Sequence, residues 1–140
     1  MRLLIVNGPN LNFLGQREEQ IYGNESFTSY FEQMKSSSTA LLEYAQSNIE
    51  GELINILQGS DHDAIVFNAG GYTHTSVALR DCITAIQTPV VEVHISNISA
   101  RESFRHDSLI SPVAEGCIFG FGLHAYALAV DYCMNYLNKR

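Results

Sequence analysis

Three apolar runs, Leu3-Leu4-Ile5-Val6, Ala64-Ile65-Val66-Phe67 and Pro89-Val90-Val91, each give way abruptly to polar residues. Runs without polar alternation belong to strands covered on both faces, as in parallel sheets flanked by helices. They predict strands over residues 2–7, 63–68 and 90–95, and residues 117–121 read as a further one. Between them the spacing turns helical. Ser26 can cap a helix running to about Ser36, with Phe27, Tyr30, Phe31 and Met34 on one face. A second helix is expected from Glu50 to Leu57, a third from Thr75 to Ala85 capped by Thr75 or Thr73, and a fourth over residues 123–137. Residues 39–46 suit a helix through Leu41 and Leu42, but a regular β–α series requires a strand there. The whole chain, 1–140, is expected to be one catalytic domain with five parallel strands, order 2-1-3-4-5, between two helical layers.

In such sheets ligands bind beyond the carboxyl ends of the strands. The polar residues lie there: Asn7-Gly8-Pro9-Asn10-Leu11-Asn12 after the first strand, Asn68-Ala69-Gly70-Gly71-Tyr72-Thr73-His74 after the third, and Glu92-Val93-His94-Ile95-Ser96-Asn97 at the fourth. Arg101-Glu102-Ser103-Phe104-Arg105 follows closely. Glu92 and His94 are two apart, so they share a strand face. A carboxylate there orients an imidazole and favours its charged form, which suits acid–base work; a purely structural pair is the other reading. The amides of Ile95 and Ser96 offer a cradle for a carboxylate. Gly70 and Gly71 let the backbone approach a ligand, with Asn68 and His74 beside them, although glycines also serve tight turns. Tyr22, in a long polar loop, becomes a base only if its phenol is acidified by cations such as Arg17 or Arg101.

Composition narrows the ligand. Fifteen acidic against eight basic residues give a net charge of −7, which argues against nucleic acid or an anionic membrane as partner. Arg17, Arg101 and Arg105 fall in or beside the polar runs, which suggests an anionic or polyhydroxylated small molecule. Cys82, Cys117 and Cys133 are expected to be buried free thiols, and the chain to be cytoplasmic. The five histidines lack zinc-ligand spacing, so no metal is expected, and without a GxGxxG or P-loop, phosphate or dinucleotide binding is not supported.

Taken together, these runs and Gly15-Gln16-Arg17-Glu18, Ile21-Tyr22-Gly23, Gln46-Ser47-Asn48 and Glu50-Gly51-Glu52-Leu53 resemble the type II 3-dehydroquinate dehydratases over essentially the whole chain. The resemblance implies a flavodoxin-like fold, a dodecamer of four trimers, and cofactor-free dehydration of 3-dehydroquinate to 3-dehydroshikimate in the shikimate or quinate pathways. By the same resemblance Tyr22 is the base that takes the proton alpha to the ketone, with Arg17 and Arg101 acidifying it. Asn10 holds a water on the enolate oxygen, and His94, oriented by Glu92, protonates the departing hydroxyl. Asn68 with the Ile95 and Ser96 amides binds the carboxylate, His74 and Arg105 bind hydroxyls, and Asp81 reaches a neighbouring subunit's site. Ile49, Asn55 and Ser99 depart from the family's usual His, Asp and His.

Lys35, in a polar helical segment, and Lys139, near the terminus, are poor candidates for a Schiff-base amine. That leaves an enolate route as the chemistry open to this residue set. Two other classes compete: a flavin- or phosphoryl-ligand binding module, which would purify coloured or phosphate-bound, and an assembly protein without catalysis. The loop after the first strand carries Pro9 and asparagines rather than the Ser/Thr/Gly-rich run that phosphate wants.

Overall fold

The computed structural model describes residues 1–15 and 25–137. Strand β1 (Arg2–Asn7) lies in the middle of the sheet, paired in parallel with β2 (Leu41–Gln46) on one side and β3 (Ala64–Asn68) on the other. β4 (Val90–His94) and β5 (Gly116–Phe119) complete the order β2-β1-β3-β4-β5 expected from the sequence.

Alternation along β1 divides the core in two. Leu3 and Ile5 face the layer of α1 (Phe27–Ser37) and α4 (His124–Asn135), packing with Phe27, Phe31, Tyr126 and Ala129. Leu4 and Val6 face α2 (Glu50–Gln58) and α3 (Val77–Ala85), packing with Leu53, Leu57, Leu79 and Ile83. Both faces of β1, β3 and β4 are therefore buried, which accounts for their unbroken apolar sequences.

Residues 41–46 form a strand, not a helix. β2 lies at the sheet's edge, so Leu41 and Glu43 are exposed while Leu42 is buried. That in–out alternation is what blurred its sequence signal. Helix α3 begins later than expected and is capped by Ser76, whose Oγ accepts from the Leu79 amide at 2.9 Å. Neither Thr73 nor Thr75 caps it: residues 70–74 form a separate 3₁₀ turn, with Thr73 fully buried. Cys82 and Cys133 are buried, but Cys117 is exposed because β5 is the other edge strand. Among the described residues no helix is long and apolar enough to cross a membrane.

Candidate active site

β1, β3 and β4 end in Asn7, Asn68 and His94, on the same edge of the sheet. The loops leaving them enclose a cavity of about 150 Å³ lined by residues that include Asn10, Asn68, His74, His94, Arg101 and Arg105. Gly70, Gly71, Ile95 and Ser96 complete the set of sequence candidates on its wall, beside Pro9, Leu11, Leu14 and Ile98.

Two loops approach so closely that glycine is needed. A Cβ on Gly8 would lie 2.5 Å from the carbonyl oxygen of Ala69, and Gly70 has φ +60° with Pro9's carbonyl 3.0 Å from its own Cβ position. Gly70 thus serves the packing of backbone on backbone, whereas a Cβ on Gly71 would meet nothing within 4 Å. Asn10 is the only non-glycine residue with positive φ among those described, at 69°. Its amide is held by Asn48 Oδ1 at 3.0 Å, and Gln46 Nε2 donates to Gly8's carbonyl at 3.2 Å. The end of β2 therefore fixes the loop that carries Asn10.

On β4, the Glu92 carboxylate accepts from His94 Nε2 at 2.7 Å, as the two-residue spacing predicted. Glu92 itself is 0% exposed and lies behind His94 rather than on the cavity wall. It also accepts from the hydroxyls of Ser108, at 2.6 Å, and Ser111. Burial is the largest influence on this carboxyl and pushes its pKa up. The His94 hydrogen bond, the field of that ring and the two serine hydroxyls together outweigh it, holding the group below its ordinary value.

Asn68 belongs to a second buried set. Its Nδ2 donates to Tyr126 Oη at 2.9 Å, Tyr126 donates to Asn7 Oδ1 at 2.7 Å, and Asn68 Oδ1 accepts from the Gly70 amide at 3.1 Å. Tyr126 is fully buried, and burial drives its phenol far above the ordinary value. It is a neutral hydrogen-bonding strut, its ring edge-on to Phe27 at 4.9 Å. His74 Nδ1 donates to the carbonyl of Asp107 at 2.8 Å, which fixes its tautomer. Arg105 pairs with Glu102 at 2.7 Å, and Arg101 Nη1 reaches Ser96 Oγ at 3.5 Å.

Other sequence candidates lie elsewhere. Asp81 is exposed on α3 and does not line this cavity. Tyr22 and Arg17 lie outside the described residues, as does Lys139. Lys35 sits on α1 with its ammonium 5.9 Å from the Phe31 ring, away from the cavity. Ile49, Asn55 and Ser99 are all exposed and off the cavity wall. Among the described residues no group of three or more His, Cys, Asp or Glu is gathered to hold a metal ion.

Sequence reasoning missed Ser108, Ser111 and Tyr126. The Ser-Pro turn at 111–112 was a signal for a fixed loop. Nothing local marked Tyr126, which reads as one aromatic among several on an apolar helix.

The family model described as Dehydroquinase class II matches residues 1–134. The chain belongs to that family. It is similar to a crystal structure of type II dehydroquinase from Butyrivibrio crossotus, at 43% identity over 96% of this chain and 98% of that one, with TM-score 0.92. It is 47% identical to a 3-dehydroquinate dehydratase of an Exiguobacterium species, over 100% of this chain and 99% of the relative. It is 44% identical to one from Francisella philomiragia, again over 100% and 99%.

Proposed function

We infer that the chain is a hydro-lyase that dehydrates 3-dehydroquinate to 3-dehydroshikimate. What carries the reading is His94 on the cavity wall, backed by buried Glu92, in a dehydroquinase-family fold. The family match favours it over a flavin- or phosphoryl-binding module.

The chemistry proceeds through an enolate without a cofactor. Tyr22, acidified by Arg17 and Arg101, takes the proton alpha to the ketone. A water held by Asn10 stabilises the enolate oxygen. The electron pair then returns, the β-hydroxyl leaves with a proton from His94, and the products are a conjugated enone and water. Asn68 and the Ile95 and Ser96 amides hold the carboxylate, while His74 and Arg105 hold ring hydroxyls. Supporting this division of labour, Asn10, Asn68, His74, His94 and Arg105 converge on one space. His74, with Nδ1 committed to a carbonyl, turns Nε2 to other partners. The enzyme works in the cytoplasm as a dodecamer of four trimers, and Asp81, exposed on its helix, completes a neighbour's site.

The test is direct. Purified protein given 3-dehydroquinate should develop enone absorbance, and Tyr22→Phe should lower turnover at least about 100-fold, the scale of a lost general base. No absorbance with wild-type protein, or wild-type turnover in the variant, overturns the activity or the base respectively. Light scattering should give the mass of about twelve chains; a fully active monomer would refute the shared site.

A further inference from the structure

The segment after the 3₁₀ turn Ser103–Arg105 is held firmly by its neighbours. The Leu109 amide donates to Thr73's carbonyl at 2.9 Å, Arg80 Nη1 donates to Leu109's carbonyl at 2.9 Å, and Ile110 is fully buried against the α2–α3 layer. From this backbone three groups point at site residues: the Asp107 carbonyl at His74, and the Ser108 and Ser111 hydroxyls at Glu92.

We propose that Ser108 and Ser111 are positioning residues of the reaction: their hydroxyls fix the Glu92 carboxylate, and through it the ring of His94. This rests on the reading of His94 as the acid.

The hydrogen-bond inventory carries the inference. Ser108 Oγ accepts from two backbone amides, those of Ile110 at 3.1 Å and Ser111 at 3.0 Å. With both lone pairs occupied, its only remaining capacity is to donate, and its proton points at Glu92 Oε1. Oε1 therefore faces two donors, this hydroxyl and His94 Nε2. A proton on that oxygen would find no acceptor in Ser108, and would find one in His94 only if Nε2 gave up its own proton. Oε2 faces the Ser111 hydroxyl. Three donors thus converge on the two carboxylate oxygens when His94 Nε2 carries its proton, an arrangement that suits the ionised form.

A buried carboxylate without such donors would take up a proton or turn away. His94 is the charged partner acting on Glu92 from its own strand. Across the sheet its register partners are Phe67 on β3 and Cys117 on β5, and Arg80 of α3 is engaged by the Leu109 carbonyl. The serines therefore act together with His94, the larger influence, in keeping Glu92 charged as pH falls.

Ser111→Ala is the informative variant, since the turn bonds of residue 111 use its backbone and survive. Turnover of 3-dehydroquinate is followed by enone absorbance across pH. The acidic limb of kcat should move up by about one pH unit, the weight of one hydrogen bond to a charged group. On that limb kcat should fall about tenfold with KM unchanged, and Ser111→Thr should restore both. Ser111→Cys, a weaker donor of similar shape, should fall between, and it serves if the alanine variant does not fold.

An unmoved limb in these variants, or a loss confined to KM, overturns the proposal. His94→Ala separates the two levels. If it is inactive while Ser111→Ala behaves as wild type, the proposal alone fails. If it retains turnover, the reading of His94 as the acid fails and takes the proposal with it.

Discussion

Tyr126→Phe removes one oxygen and tests whether the strut behind the cavity matters. In the wild type that oxygen donates to Asn7 at 2.7 Å and accepts from Asn68 at 2.9 Å. Asn7 is 0% exposed and Asn68 3%, so water does not replace the lost partner. Each buried amide left unsatisfied costs about 1–3 kcal/mol. The phenylalanine ring itself is accommodated, and the phenol's own desolvation is avoided, so the net expectation is about 2–4 kcal/mol, against a usual total of about 5–15. Urea unfolding followed by circular dichroism, at one fixed protein concentration, measures it. The midpoint should fall with the slope unchanged. Asn68 lines the cavity, and among the described residues its side chain keeps only the bond from the Gly70 amide, so kcat/KM should also drop about five- to tenfold, the weight of one neutral hydrogen bond. A stability change under about 0.5 kcal/mol, the scatter of ordinary surface substitutions, would refute the strut.

Glu92→Gln should lower turnover about 10- to 100-fold, because the His94 ring loses the carboxylate that orients it; unchanged turnover would make the pair structural. The carboxyl's pKa is held below its ordinary 4.5 in the folded chain, so its stabilising contribution is present above that value and fades as pH falls through the folded value. Acid unfolding of Glu92→Gln should accordingly show a shallower dependence on pH below about 4.5 than the wild type. Gly8→Ala should cost about 1–3 kcal/mol by forcing its loop off Ala69, measured by thermal unfolding, with a further loss of turnover as the Asn10 loop shifts; an alanine variant of wild-type stability would show that the two loops can part without penalty.

The parts of the fold that could be read from sequence are those where one residue's environment repeats along an element. β1, β3 and β4 announced themselves because both their faces are covered. β2 and Cys117 misled because edge strands expose one side to solvent, and which strand is the edge is set by sheet order, not by local pattern. The cap of α3 was misread by one residue because Thr73, Thr75 and Ser76 are all competent, and the intervening 3₁₀ turn decides among them. In the site, Glu92 and His94 were legible through period-two geometry. Ser108 and Ser111 were not, since they meet Glu92 from 16 and 19 residues away through a fold-back that no local signal specifies.

The Asn7–Tyr126 bond joins residues 119 positions apart. During synthesis at roughly 5–20 residues per second, Asn7 leaves the ribosome on the order of ten seconds before its partner is made. β1 is central and pairs with β2 and β3, both made before Tyr126, so until then a gap stands between Asn7 and Asn68 where its hydroxyl belongs. Helix α4 arrives last, and with it the hydroxyl that closes the gap. A nascent or C-terminally clipped chain lacking α4 therefore carries the cavity-lining residues without the hydroxyl that holds the Asn68 amide nitrogen.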